Sequence, residues 1–313
     1  MNAAHLSVVI VTYNSADTLE SCLRSVPQES EVIVVDQASA DHSATIAKDL
    51  RPHAKVIHAG GNRGFGAGCN LGAANATRPI TAFLNPDASF ADDAADQLAA
   101  AAAETNSMVG PTILDSSGVA ITKARRWSST TTDILDLVVP HRFLPERWQR
   151  DIPAGSDVYR TGGEVAYIQG ACMVIPTALF WGVGGFDERY FLYSEEETLA
   201  TKLAERGHRC WLVPDAIVAH VGAASTSGVR TFSVEQYHRS RAISLVQRHS
   251  LAGAIPRVAA FQAILLVLWV TAPIRKIIGF RKTENAQFCV AAIRGLFNGL
   301  IGRGVVPPPG REG

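Results

Sequence analysis

Side-chain chemistry concentrates in three short stretches of this chain: Thr12-Tyr13-Asn14, Asn85-Pro86-Asp87 and the acid run Glu195-Glu196-Glu197. Asp87 follows the apolar run Ile80 to Leu84. A carboxylate at a strand end can hold a divalent cation that also bridges phosphates, and Asn-Pro-Asp is equally a good turn sequence. Adjacent acids at a helix start favour the helix dipole. They also point in different directions, so one can face a cleft as a general base while another makes a structural bond. His220, two residues before Gly222, is either a further metal ligand or a structural histidine. The glycine-rich "AGGNRGFGAGCNLG" does not fit GxGxxG and follows the third strand, not the first. Such a loop lets backbone N–H groups approach a phosphate or ribose, or is an ordinary turn.

The elements that must position these groups alternate. Leu6 to Thr12 is a β-branched run of the kind buried on both faces. Ala16 to Val26 has helical spacing, Glu31 to Val35 is a second strand ending in Asp36, Ser43 to Leu50 is helical, and Lys55 to His58 is a third strand. Asn70 to Ala76 reads as a helix, Ile80 to Leu84 as a strand, and Ala91 to Glu104 as a helix with Asp92 and Asp93 in its first turn. Strand and helix in alternation predict an α/β fold with a mostly parallel sheet, in which ligands bind beyond the carboxyl ends of the strands. Three such ends carry polar groups: Thr12-Tyr13-Asn14, Asp36-Gln37 and Asn85-Pro86-Asp87. Residues 111 to 165 loosen into irregular strands and a mobile loop. "YIQGACMVIP" and "HRCWLVPDAIVAH" then read as strands, with a helix from about Glu195 to Arg206 stopped by Gly207 between them.

The 313 residues are 47% hydrophobic with zero formal charge, so the chain is globular and has no field suited to nucleic acid. From Pro256 onward eight Lys and Arg stand against two Asp and Glu, leaving +6 there and −6 before it. In that part Val258 to Ile274 is apolar, with Pro273 expected to end or kink it, and "AQFCVAAIRGLFNGLIGR" is amphipathic. Apolar faces with excess positive charge suit the membrane interface; the alternatives are packing on the body of the protein or a homodimer. Five scattered cysteines without a CxxC pair fit a reducing compartment. The first residues lack a basic segment and a long apolar run. The expected location is therefore the cytoplasmic face of the membrane. Three segments follow: 1–110 for the nucleotide, 111–250 for the acceptor and catalysis, and 251–313 for the membrane.

In order along the chain stand "SVVIVTYNSADTLESCLRSV", "VIVVDQASADHS", "GNRGFGAGCNLG", "FLNPDA", "VGGFDERYFLYSEEETLATKLAERG" and "AIVAHVGAAS". Together they resemble a family-two glycosyltransferase with the GT-A fold, and within it the bacterial rhamnosyltransferase-like branch, over roughly residues 6 to 250. The resemblance implies a mostly parallel nucleotide-binding sheet joined to a mixed acceptor half. It also implies inverting, Mg²⁺- or Mn²⁺-dependent sugar transfer from a nucleoside diphosphate donor, here dTDP-rhamnose, to a polyprenyl-diphosphate-linked GlcNAc. Thr12, Tyr13, Asn14, Asp36 and Gln37 would hold base and ribose. The loop with Asn62, Arg63, Gly64 and Asn70 would close over the nucleotide. Asp87, with Asn85 beside it, would hold the metal at the diphosphate, and His220 would be a further metal or diphosphate ligand. Gly170, Gly185 and Asp187 would shape the acceptor pocket.

The base implied by the family pattern is Glu196, with Glu195 or Glu197 as alternatives. Glu196 stands for a more usual Asp, Asn85 for an acid, Gln37 for an Asn and Thr198 for a second Asp. Arg125, Arg126 and Trp127 either meet an acceptor diphosphate or form a solvated basic loop. A nucleotidyltransferase would need a basic glycine-rich loop after the first strand, where this chain has "TYNSAD". A non-catalytic sugar-nucleotide-binding scaffold is the third reading.

Overall fold

A computed structural model describes residues 1–127, 129–139, 143–221, 230–277 and 286–305. The β-branched runs form the parallel block foreseen from their pattern. Leu6–Thr12 (β1), Glu31–Asp36 (β2), Lys55–His58 (β3) and Ile80–Leu84 (β4) lie in the order β3-β2-β1-β4. All seven residues of β1 are buried, which is why its sequence does not alternate. The sheet continues past β4 through strands that sequence pattern resolved less well. Ala88–Phe90 (β5), Met108–Leu114 (β6), Gly163–Val165 (β7), Cys172–Pro176 (β8) and Cys210–His220 (β9) complete nine strands.

β8 runs antiparallel to β4 and to β6, while β9 runs parallel to β6. The carboxyl end of β9 therefore emerges on the same edge as those of β1, β2 and β4. β5 pairs antiparallel with that end and sets Ala88 opposite His220. β6 crosses residue 110, so the first two segments share one sheet.

Helices cover both faces. Ala16–Ser25 (α1), Ser43–Leu50 (α2) and Ala94–Thr105 (α4) bury Leu19, Leu23, Ala47 and Leu98 on one side. Phe65–Ala73 (α3), Thr177–Gly182 (α7) and Glu195–Glu205 (α8) bury Cys69, Phe180 and Leu199 on the other. Thr130–Val138 (α5) and Val158–Thr161 (α6) lie in the stretch between β6 and β7.

The C-terminal part has its own core. Ala242, Leu245, Val258, Phe261 and Leu265 of Arg230–Ile277 (α9) meet Ala292 and Leu296 of Ala286–Leu300 (α10). Gly295 and Gly299 bring the two backbones together, since a Cβ on either would overlap the carbonyl oxygen of Glu235 or Arg239. Outside this seam the hairpin is greasy. Leu266, Val267, Trp269 and Val270 on α9, with Val290, Phe297 and Ile301 from α10 onward, are exposed.

Several boundaries differ from expectation, each for a local reason. The glycine-rich stretch itself is helical: α3 starts at Phe65, not Asn70, because Gly68 and Gly72 face Val11 and Val9 of β1 where a Cβ has no room. α4 starts at Ala94, since Asp92 has φ +38° and the residues before it join β9 as β5. α5 forms in the polar region because Ser129 and Thr132 make a reciprocal capping box. Pro273 does not end its helix, which runs to Ile277; the break falls instead at Ser250, with φ 60° and ψ 171°. The expectation for Gly222 to Ser225 lies outside the described residues.

Candidate active site

The site is built on the shared strand edge. Thr12 and Asp36 are register partners at the ends of β1 and β2. Thr12 accepts a backbone bond from Gln37 at 2.9 Å, while its own hydroxyl is buried without a partner. Asp36 is buried, accepts from the Ser39 amide at 3.3 Å, and lies 3.5 Å from His58 Nδ1. Asn14, at φ 52°, accepts from the Ala40 amide at 2.7 Å and donates its own amide to Ser39 Oγ at 3.0 Å. The turns after β1 and β2 are thus tied to each other. Tyr13 is half-buried between them.

Asn85-Pro86-Asp87 forms the turn its sequence allowed. Ala88 N donates to Asn85 O at 3.1 Å, closing the turn, and the Asn85 amide donates to Ala171 O at 3.0 Å. That turn presents Asp87 to the end of β9, where His220 Nε2 lies 3.1 Å from its Oδ1. The other ring nitrogen, His220 Nδ1, is buried without a partner. Among the described residues no three His, Cys, Asp or Glu side chains cluster as a metal site. Asp87 supplies the kind of carboxylate that Mg²⁺ uses alongside substrate phosphates, and His220 adds an imidazole nitrogen beside it. Cys22 donates to the Asn85 carbonyl at 3.4 Å; burial, then the nearby Asp87, push its thiol well up, so it stays protonated.

The glycine loop is held rigidly from two sides. Gln37 accepts from the Arg63 amide at 3.0 Å and donates to Gly64 O at 3.2 Å, so both ends of its amide grip the loop backbone. Asn62 accepts from Gly64 N at 3.0 Å. Gly64, at φ +95°, lies against Phe191, whose carbonyl a Cβ would overlap. Asn70 exchanges bonds with the Phe186 backbone at 2.9 and 3.0 Å and donates to Glu188 at 3.1 Å; Arg63 reaches Glu188 at 2.5 Å. Gly185, at φ 60°, sits under Asn70. Asp187 accepts from Arg189 at 2.6 Å and from Gln247 at 2.8 Å. Asn70, Gly185 and Asp187 therefore join the glycine loop to the segment ahead of α8.

The three acids point three ways. Tyr193 and Ser194, at φ 72° and 70°, turn the chain sharply into α8. Glu195 is buried beneath Gly66, with one oxygen unpartnered. Burial, then the neighbouring Glu196, raise its pKa to about 8. Glu197 is buried and takes Arg150 at 3.1 Å and Arg248 at 3.0 Å. Glu196 is half-buried and faces Gly170, whose missing Cβ leaves 3.9 Å to the carboxyl carbon. Burial and Glu197 raise its pKa, and Arg125 and Arg150 draw it back. A half-buried carboxyl with a raised pKa is suited to act as a general base near neutral pH.

The basic triplet has partners of its own. Arg125 lies 2.6 Å from Asp151, Arg126 donates to the Glu146 carbonyl at 3.0 Å, and Trp127 is exposed. They line an open cleft of about 450 Å³ with His208 and Arg209, beside the start of β9 and so at the opposite edge from His220. Sequence reasoning missed Arg150, Arg241, Arg248 and Asp133. Their only signal was charge in an irregular region and in a helix, and neither revealed the pairing.

Residues 7–181 match the profile of Glycosyl transferase family 2. The chain is 30% identical over 268 residues to the N-acetylglucosaminyl-diphospho-decaprenol L-rhamnosyltransferase of Mycobacterium tuberculosis, covering 78% of this chain and 85% of that one. Among solved structures it is similar to a mannosyltransferase from Pyrobaculum calidifontis in complex with GDP-Man and Mn²⁺. The TM-score is 0.55 at 18% identity, over 96% of this chain and 88% of the other. It is also similar to GalNAc-T7 with UDP, GalNAc and Mn²⁺, at TM-score 0.55 and 19% identity, over 75% of this chain and 47% of that one. At these identities the likeness is one of fold.

Proposed function

This chain belongs to glycosyl transferase family 2 and has a GT-A fold, and from that premise we propose that it transfers L-rhamnose from dTDP-rhamnose, with inversion, to a polyprenyl-diphosphate-linked N-acetylglucosamine. The observation that carries the mechanism is the division of labour among the three acids. Glu195 is packed away, Glu197 is paired, and Glu196 alone is half-open beside a glycine. The mycobacterial relative's name supports the choice of donor sugar and acceptor.

In this reading Thr12, Tyr13 and Asp36 hold the base and ribose, while Asn14 and Gln37 fix the loops around them. Asp87 and His220 would hold Mg²⁺ or Mn²⁺, which when bound would supply positive charge against the departing diphosphate and so favour the transition state over the ground state. Glu196 takes the proton from the acceptor hydroxyl as that oxygen attacks the anomeric carbon. One base and a single displacement give inversion. Gly170 leaves room for the acceptor sugar beside Glu196.

The hairpin of α9 and α10 attaches the enzyme to the cytoplasmic face of the membrane. Its helix Thr231–Thr271 is long and apolar enough to span, and only 22% of its most apolar 18-residue window is buried. Exposed apolar side chains with a basic excess suit a lipid interface.

The test is a donor panel. Purified protein with Mn²⁺ and polyprenyl-diphosphate-GlcNAc should release dTDP from dTDP-rhamnose and give a product of inverted anomeric configuration. Turnover of another donor, with none of dTDP-rhamnose, would overturn the donor assignment. Co-sedimentation with anionic vesicles tests the membrane reading; a soluble dimer that ignores vesicles would replace it.

A further inference from the structure

Glu197 does not merely fill a helix start. Its two carboxylate oxygens are taken by guanidinium groups from different parts of the chain. Oε2 accepts from Arg150, ahead of α6, at 3.1 Å, and Oε1 from Arg248 of α9 at 3.0 Å. Arg150 goes on to Tyr167 Oη at 2.7 Å and Asp133 of α5 at 3.3 Å. Arg241 of α9 reaches the same Asp133 oxygen at 3.4 Å and Tyr237 Oη at 3.1 Å. Asp133, Arg150, Glu197 and Arg241 are all buried. Four elements are thus tied at one charged knot placed one residue from Glu196.

Buried ion networks are poor sources of stability, because well-packed apolar groups often do as well or better. What a network supplies is direction. Successive residues on a helix differ by about 100°. Fixing Glu197 against Arg150 and Arg248 therefore fixes the rotation of α8, which leaves Glu196 toward Gly170 and Glu195 under Gly66.

We propose that Glu197, held by Arg150 and Arg248, is a positioning residue for Glu196, so that α9 is part of the catalytic machinery as well as the start of the apolar hairpin. This rests on Glu196 being the base. The charged and titratable groups around Glu196 are Glu195 and Glu197 on its own helix, Tyr193 just ahead of it, and Arg125, Arg150 and Tyr167 opposite. Two of these act on Glu196 with opposite sign: Glu197 raises its pKa and Arg150 lowers it.

The experiment measures nucleoside diphosphate release across pH for Glu197→Gln and Arg150→Gln in the full chain, with dTDP-rhamnose or whichever donor the panel identifies. Both variants should lose roughly 100-fold in kcat, the scale of an ångström-level misplacement, with donor KM within about twofold. The acidic limb of kcat should move to lower pH in Glu197→Gln and to higher pH in Arg150→Gln, a pair of shifts that loss of packing alone does not give. Arg248→Lys should keep more kcat than Arg248→Met; because Arg248 is 33% exposed, both report even if a buried variant fails to fold. Unshifted limbs, shifts of the same sign, equal Lys and Met variants, or a loss confined to donor KM would overturn the proposal. Native turnover by Glu196→Gln would instead show that the base assignment is at fault.

Discussion

His220 Nε2 stands 3.1 Å from Asp87 Oδ1 across 133 residues of chain. The contact arises because β5, the short strand after the Asn85-Pro86-Asp87 turn, pairs antiparallel with the end of β9 and places Ala88 opposite His220. A carboxylate and an imidazole meet there at the edge where β1 and β2 also end. This pair is the site's strongest claim to a divalent ion.

Asp87→Ala should abolish nucleoside diphosphate release, by at least about 100-fold, the scale of losing one electrostatic stabiliser of the transition state. EDTA should do the same to the native protein, and added Mn²⁺ or Mg²⁺ should restore native activity but not that of the variant. Undiminished turnover in EDTA would remove the metal from the scheme.

Gln37→Ala should loosen the glycine loop without touching the base. Two bonds to the Arg63 and Gly64 backbone are lost, and each net hydrogen bond is worth about 0.5–1.5 kcal/mol. Donor KM should rise about tenfold with kcat nearly unchanged, measured by initial rates at saturating acceptor. A fall in kcat alone would mean that the loop is held by other contacts.

Glu195 should make stability pH-dependent. Its folded pKa, about 8, lies above the ordinary 4.5 because burial and Glu196 disfavour its charge. The native state then keeps a proton that the unfolded chain releases, so stability falls as pH rises from about 4.5 to about 8, at up to roughly 1.4 kcal/mol per unit. Glu195→Gln copies the protonated form without titrating. Its Tm should vary less with pH across that window than that of the native protein; parallel Tm curves would refute the assignment.

Gly299→Leu should separate α10 from α9, because the new side chain meets the Arg239 carbonyl and Ala242. Overpacking costs typically about 1–3 kcal/mol. Thermal unfolding should show a lowered or split transition. Release assayed with the lipid-linked acceptor should fall more than release assayed with a short-chain soluble analogue. Equal losses with the two acceptors would mean that the hairpin does not serve the membrane.

Sequence alone determined the α/β class, the parallel strands β1 to β4, the polar groups at their ends, and the acid-led helix α8. These are local matters: a β-branched run buried on both faces, a polar residue at its end and acids in a first turn are written in neighbouring residues. β5, β6 and α5 were not legible, being short, interrupted by Pro111, or set by a capping box in polar sequence.

Tertiary structure decided which residues are available for chemistry. Asn14, Gln37, Asn70 and Asp187 look alike in sequence as polar residues near a site, yet each is occupied by a backbone or side-chain partner far along the chain. The three glutamates differ only in what surrounds them: Gly66 over one, Gly170 beside the next, Arg150 and Arg248 on the third. Pairing and burial depend on contacts across 26 residues or more, and no local pattern encodes them. The sequence offered three acids, and packing buried Glu195 and Glu197, the latter against two arginines, and left only Glu196 half-buried.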